Sequence, residues 1–441
     1  MSAPQSVSLS TIVTTDFAAI TRGRAIAADR LEAAAGSGVG WLPANLALTP
    51  FDSIASPNPW GSFGDLRLAP DLSARFRTTA TGASSPFDLV VGDVVELDGA
   101  PWRGCPRGLL RTAADELAER HGLILRMSFE QEFQAVDVDL PPAHALSFGA
   151  LRRVDPFGPT LFAALAEAGV EPEVVLPEFG RQQFEVTCAP AEPVRAADRA
   201  VAIREIVREL GRNCGLRASF APKVAVDGVG NGVHIHLSLW DKAGRPVTRD
   251  AAAANGLSAA AGAFFSGVLR HMPALVAFTA PSPPSYLRLR PQSWSAAYTW
   301  LADRDREAAL RVCPTWTAGG GDPDRQFNVE YRAADATANP YLAAWALVRA
   351  GLAGLDAGLA PPPIAPRHPD GLSAAERTAL GVVRLPESLE DALAALDADP
   401  IVRGWLAGDV LETYVGVRRA ELARVAGLSP AQVCDLYQGL Y

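Results

Sequence analysis

Four short segments of this chain alternate apolar and polar side chains with a period of two, and their polar positions carry glutamates and histidines, residue types that ligate metals. In RMSFEQEFQAV, Phe129, Gln131 and Phe133 alternate with Glu130, Glu132 and Gln134. In QQFEVTC, Gln183, Glu185 and Thr187 alternate with Phe184, Val186 and Cys188. In VHIHLSLW, His234, His236 and Ser238 oppose Ile235, Leu237 and Leu239; in NVEYRAAD, Asn328, Glu330 and Arg332 oppose Val329 and Tyr331. A β-strand sends successive side chains to opposite faces, so Glu130 and Glu132 share a face roughly 7 Å apart.

Any one such segment is ordinarily a half-solvated strand. Two features point further. Adjacent like charges are unfavourable unless solvent or a cation compensates them. His234 and His236 repeat the arrangement with imidazoles, the commonest nitrogen ligands of metals. If the four strands share one sheet, their polar faces line a carboxylate-rich site. Such a site takes hard divalent cations, Mg²⁺ or Mn²⁺, with phosphate oxygens completing the coordination. The cysteines form no thiolate cluster, which argues against zinc.

An arginine set follows. SYLRLRPQSWSAAYTWLADRDREAALRV supplies Arg288, Arg290, Arg304, Arg306 and Arg311, and Arg332 comes next. A run of like charge is commonly a solvated face. Beside a carboxylate-metal site, however, guanidinium groups hold a transferring phosphoryl group and screen its charge.

The remaining sequence frames these segments. A length of 441 residues with 49% hydrophobic and 20% charged residues is a globular balance. A net charge of −9 argues against nucleic acid or an anionic membrane as a partner. Five widely spaced cysteines without a CxxC pair fit neither a disulfide framework nor a zinc knuckle, and imply a reducing compartment. The N-terminal stretch has no charged region followed by an apolar core, and the small-residue run around 251–265 is interrupted by Asn255, Gly256 and Ser258. A soluble cytoplasmic protein is expected.

The first hundred residues mix short apolar runs with Pro, Gly and Ser, the pattern of a small domain of strands and loops. The pattern changes at PWRGCPRGLLR (101–111), which places a domain boundary near residue 105. Beyond it, helices are expected at 160–168, 194–214, 259–272, 339–357 and 388–396, and strands at 124–138, 183–189, 233–240 and 327–333. The class is α+β in two domains, 1–105 and 106–441.

These segments, in this order, resemble the glutamine synthetase family. FEQEF resembles its paired-glutamate strand, PEFGRQQFE its segment joining two acids, and GNGVHIHLSLWD its glycine–histidine motif. PSYLRLRP, DRDREAALRV and NVEYRAADATANPYLAAWALVRAGL resemble its arginine and C-terminal motifs. The resemblance implies a small β-grasp N-terminal domain on a catalytic domain with a curved antiparallel sheet and surrounding helices. It implies ATP as co-substrate and two Mg²⁺ or Mn²⁺ positions. Glu132, Glu178 and Glu185 would hold the first cation, and Glu130, His234 and Glu330 the second. Arg288, Arg332 and the backbone at Gly230 would grip glutamate. Arg306 and Arg311 would act on the γ-phosphate, with Arg311, His236 and Ser238 on the nucleotide side. The implied reaction joins the γ-carboxylate of glutamate to an amine through a γ-glutamyl phosphate. The implied assembly is a homo-oligomeric ring, a dodecamer of two stacked hexamers with active sites between subunits.

Departures from the family pattern bear on the amine. Trp294 stands where ammonia-using members carry a glutamate, and an indole offers apolar area and a π face instead of a carboxylate. The partner aspartate from the N-terminal domain has one candidate, Asp52, without the family's DGSS pattern. The expected amine is therefore larger than ammonia, as in the γ-glutamylpolyamine and γ-glutamylethanolamide synthetases. Asn328 replaces a nucleotide-side arginine, Gln182 replaces a glycine, and the Gly319–Gly321 stretch replaces a lysine. The competing readings are a true glutamine synthetase and a catalytically weakened family member with a structural or regulatory role.

Overall fold

The computed structural model describes residues 7–441. Strands β1 (Leu9–Thr15), β2 (Thr21–Ala27), β3 (Val39–Trp41), β4 (Leu66–Thr78) and β5 (Phe87–Val95) form a sheet in the order β2-β1-β5-β4-β3. β1 and β5 run parallel at its centre, and the other pairs are antiparallel. Ile12, Leu68, Phe76 and Val90 bury its apolar face. This is the small N-terminal sheet domain expected.

The second sheet contains β6 (Leu123–Val136), β7 (Pro172–Pro177), β8 (Gln183–Cys188), β9 (Arg217–Ser219), β10 (Val233–Asp241), β11 (Leu301–Asp303), β12 (Leu310–Val312) and β13 (Val329–Tyr331). Its order is β11-β12-β13-β10-β6-β8-β7, with β9 on β6. The four strands read from periodicity are thus β13, β10, β6 and β8, adjacent in space though far apart in sequence. β13 is shorter than the expected 327–333, because Arg332 and Ala333 leave the ladder to reach a buried turn before Asn339.

Each expected helix is present. Gly122 ends the helix Pro106–His121 in the left-handed conformation (φ 67°), a position that glycine favours. Asn339 caps the helix Pro340–Asp356 by accepting from the Tyr341 and Leu342 amides, while its own amide donates to the Thr15 and Asp16 carbonyls at 2.9 Å each. That cap joins the two sheets' surroundings.

The helix expected at 259–272 runs from Ala259 to Thr279, because Pro273 is accommodated inside it. It is the one helix among the described residues long and apolar enough to cross a membrane, and 78% of its most apolar window is buried within the chain. It packs on Pro340–Asp356 with backbones touching: a Cβ on Gly267 would lie 2.1 Å from the Ala350 carbonyl, and one on Gly354 2.1 Å from the Ala263 carbonyl. Its apolar composition is thus explained by burial between other elements.

Arg107 links the layers. Its guanidinium donates to Asp198 at 2.9 Å, Asp93 at 3.0 Å and Asp71 at 2.7 Å, and Tyr341 donates to Asp198 at 2.7 Å. These residues come from β4, β5 and three helices, so one buried cation gathers both sheets' packing partners.

Candidate active site

Cross-strand register assembles the site. β10 sets His234 opposite Glu130 of β6, and β6 sets Glu132 opposite Glu185 of β8. β13 sets Glu330 opposite both His236 of β10 and Arg311 of β12. Directly opposed residues of an antiparallel pair share a face. All these side chains therefore stand on one side of the sheet's centre, as the alternation predicted.

His234 Nδ1 lies 3.1 Å from Glu130, 3.3 Å from Glu330 and 3.8 Å from Glu132. Ligand atoms of Glu130, Glu185 and His234 lie within 4.8 Å of one another. Glu132 also accepts the Gly232 amide at 2.7 Å. Glu178, after β7, is half-buried and, among the described residues, accepts only its neighbour's amide, from Phe179 at 3.0 Å. Glu185 has no hydrogen-bond or ion-pair partner among the described residues. Burial, followed by the carboxylates of Glu130, Glu132 and Glu178, pushes its pKa up to about 9.

Glu130 behaves oppositely. Burial opposes its charge, but hydrogen bonds from His234 and His236 hold it well below the usual carboxylate range. His236 sits between Glu130 (2.9 Å) and the Asn328 amide oxygen (2.8 Å), while the Asn328 nitrogen donates to the Gln326 carbonyl. Burial opposes the charged ring, yet Cys313 and Glu130 hold its pKa well above the ordinary histidine value. Asn328 therefore steadies His236. Ser238, the next polar position on β10, accepts from Trp240 Nε1 at 2.9 Å.

The arginines divide into two groups. Arg288, Arg311 and Arg332 are buried, and Arg311 and Arg332 each pair with a different oxygen of Glu330. Arg288 donates to the Ala334 carbonyl at 2.6 Å. All three leave Nε buried without a partner. Unpaired buried donors cost about 1–3 kcal/mol each, and a substrate carboxylate or phosphate would satisfy them. Arg306 is exposed and makes no ion pair among the described residues; its charge acts on Glu178. Arg290 and Arg304 are exposed, and Arg304 pairs with its neighbour Asp303 at 2.9 Å.

Gly230 needs its hydrogen: a Cβ there would lie 2.6 Å from Arg288 Cγ. Its carbonyl accepts from Gln183 Nε2 at 2.8 Å. Gln182 adopts the left-handed conformation (φ 56°), which glycine favours, and its amide braces the loop through the Ala135 and Val138 carbonyls. Trp294 stands at the rim, 69% exposed, with its carbonyl accepting from Arg332 at 3.0 Å. Asp52 is not brought to the carboxylate face within one chain; it pairs with Arg22 at 3.0 Å.

Sequence reasoning missed Glu307, which accepts the backbone amides of Gln292 and Trp294. It also missed Cys313, 3.6 Å from His236. Neither lies in an alternating segment. Gln183, which bridges Glu132, Gly230 and Asn231, was legible as a polar-face position of its strand.

Were Glu185 to hold a cation, as the family resemblance implies, its raised pKa would make that binding pH-dependent. With burial and the neighbouring carboxylates raising its pKa to about 9, Glu185 favours its protonated form at neutral pH, and a cation bound there would displace that proton. Mg²⁺ affinity is expected to rise about tenfold per pH unit up to that value, with one proton released per cation. Calorimetry in buffers of different ionisation enthalpy measures this release. By linkage, the proton's contribution to apo-chain stability is present at low pH and lost as pH rises through about 9.

The chain is similar to known proteins over most of its length. Residues 103–433 match the model of the glutamine synthetase catalytic domain, and residues 2–102 that of a glutamine synthetase N-terminal domain. The chain is 38% identical to the γ-glutamylpolyamine synthetase GlnA3 of Streptomyces coelicolor over 97% of its length and 92% of the relative's. With the glutamine synthetase of Pyrococcus furiosus identity is 30%, covering 93% and 89%. A solved glutamine synthase homolog superposes with a TM-score of 0.91 at 45% identity over 100% of both chains. A GmaS–ADP complex superposes at 0.80 with 26% identity over 96% and 95%. The chain belongs to the glutamine synthetase family, is a ligase of that family, and is more similar to this γ-glutamylpolyamine synthetase than to this glutamine synthetase.

Proposed function

We propose that the chain joins the γ-carboxylate of glutamate to an amine other than ammonia, using ATP through a γ-glutamyl phosphate. The observation that carries this reading is the carboxylate face bordered by three buried arginines with free Nε donors. The oxygen-rich donor set fits Mg²⁺ or Mn²⁺. Glu132, Glu178 and Glu185 would hold one cation, and Glu130, His234 and Glu330 the other. Bound there, the cations supply neutralisation of phosphate and carboxylate charge.

The residues of the chain divide the remaining work. Arg288 and Arg332 orient glutamate, with Gly230 leaving room for the Arg288 stem. Arg311 and Arg306 offset charge on the transferring phosphoryl group, which makes the poor carboxylate electrophile a good one. His236 and Ser238 line the nucleotide side. Trp294 presents a π face and apolar area to the amine, which suits an alkylammonium better than a bare ammonium ion. The printed name of the Streptomyces relative supports a polyamine as the amine. The same reading carries a ring dodecamer in the cytoplasm, with a division near residue 105 and Asp52 completing a neighbouring subunit's site; its 80% exposed carboxyl is available for that.

Phosphate release from ATP is expected to require a divalent cation, glutamate and an amine together. Glu132→Ala is expected to abolish that release while leaving the unfolding midpoint near the wild-type value. Wild-type turnover by Glu132→Ala contradicts the cation assignment.

A further inference from the structure

We propose that Glu307 is a positioning residue for the amine: its carboxylate holds the turn that presents Trp294 and, through the Trp294 carbonyl, steadies the Arg332 guanidinium. The inference rests on the function proposed above and names what sets the amine end of that site.

The indole of Trp294 is 69% exposed, so contacts within its own chain do not place it. Its backbone must. The segment RPQSWSA (290–296) contains no glycine, yet Gln292 (φ 55°) and Trp294 (φ 52°) both adopt the left-handed conformation. Residues with a Cβ hold that conformation only when their surroundings over-determine it. Glu307 supplies the constraint. Its two carboxylate oxygens divide between the amides of these two residues: Oε2 accepts Gln292 N–H at 2.9 Å, and Oε1 accepts Trp294 N–H.

The carboxylate is half-buried, and its own position is anchored because its backbone carbonyl accepts Trp300 Nε1 at 3.2 Å. From the turn, the Trp294 carbonyl accepts Arg332 Nη2 at 3.0 Å, and Arg332 pairs with Glu330. A continuous chain of contacts thus runs from Glu307 to the residues that face the substrates. Alanine at 307 removes both acceptors. Glutamine keeps the volume but turns an amide N–H₂ toward one of two N–H donors, so it restores at most half of the hold.

The test compares the wild type with Glu307→Ala and Glu307→Gln. The amine KM is expected to rise about tenfold in the alanine variant and less in the glutamine variant, the glutamate KM to rise by a smaller factor, and kcat and the ATP KM to change less than about threefold. Hydrogen exchange of 290–296, which needs no substrate, is expected to accelerate in the variants while β6 and β10 keep their protection. An unchanged amine KM, a parallel rise of all three KM values, or unchanged exchange at 290–296 overturns the inference. A wild type inactive with every amine defeats the function on which it rests; the exchange rates then still decide whether Glu307 holds the turn.

Discussion

Glu330→Ala is expected to lower cation-dependent phosphate release about a thousandfold and to destabilise the folded chain by about 3–5 kcal/mol. Both effects share one cause. Glu330 is 1% exposed and pairs with Arg311 and Arg332, with His234 3.3 Å away. Burial opposes its charge, but His234 and Arg332 outweigh that and hold its pKa below the usual value. Removing the carboxylate leaves two buried guanidinium groups unpaired, and it removes a proposed cation ligand. Glu330→Gln separates the effects: the amide keeps the volume and can still accept from an arginine, so stability should recover in part while turnover stays low. Urea unfolding and a cation-titrated phosphate assay measure the two. Normal turnover in either variant contradicts the role assigned to Glu330.

Arg107→Ala is expected to cost a similar amount, about 3–5 kcal/mol, without altering the catalytic face. The guanidinium, 3% exposed, neutralises Asp198 and reaches Asp93 and Asp71. In the variant, Asp198 remains buried with only Tyr341 as hydrogen-bond partner among the described residues. Burial already raises the Asp198 pKa above its ordinary value with Arg107 present. Without it the rise is larger, so the folded variant binds a proton that the unfolded chain does not. The sign follows: the destabilisation grows as pH increases and shrinks as pH falls. Arg107→Lys is expected to recover only part of the loss, because one ammonium cannot reproduce the forked contacts to Asp198 and Asp93. Urea midpoints at several pH values measure all of this. An alanine variant as stable as the wild type at pH 8 removes Arg107 from its central place.

The contrast between these two residues shows what was legible in the sequence. Glu330 was found because strand periodicity is local: Val329 and Tyr331 mark the buried face, and Glu330 must point the other way. The same local rule found Glu130, Glu132, Glu185, His234 and His236. It could not supply register, and register makes the site. That Glu132 faces Glu185, and that Glu330 faces both His236 and Arg311, depends on pairings between distant segments.

Arg107 was seen only as part of a domain-boundary stretch, since its partners at 71, 93 and 198 share no pattern with it. Arg311 was read as one of an arginine run, because three-residue β12 is too short to show a period. Its neighbours Arg290 and Arg304 looked alike in sequence and proved to be surface groups. The crossing at Gly267 and Gly354 was hidden for a different reason: glycines in Ala-rich helices look like weak helix positions until a second backbone occupies the missing Cβ volume.

Trp294 is the residue on which the proposed choice of amine turns, and its indole is exposed. The central claim is that this site ligates glutamate to an amine larger than ammonia. The most direct measurement is kcat/KM for phosphate release with ATP, Mg²⁺ and glutamate, across ammonia, methylamine, ethanolamine and polyamines, in the wild type and in Trp294→Glu. The expected result is that a larger amine exceeds ammonia by about tenfold or more in the wild type, with the gap narrowed by the glutamate. Ammonia as the best amine of the wild type contradicts the claim.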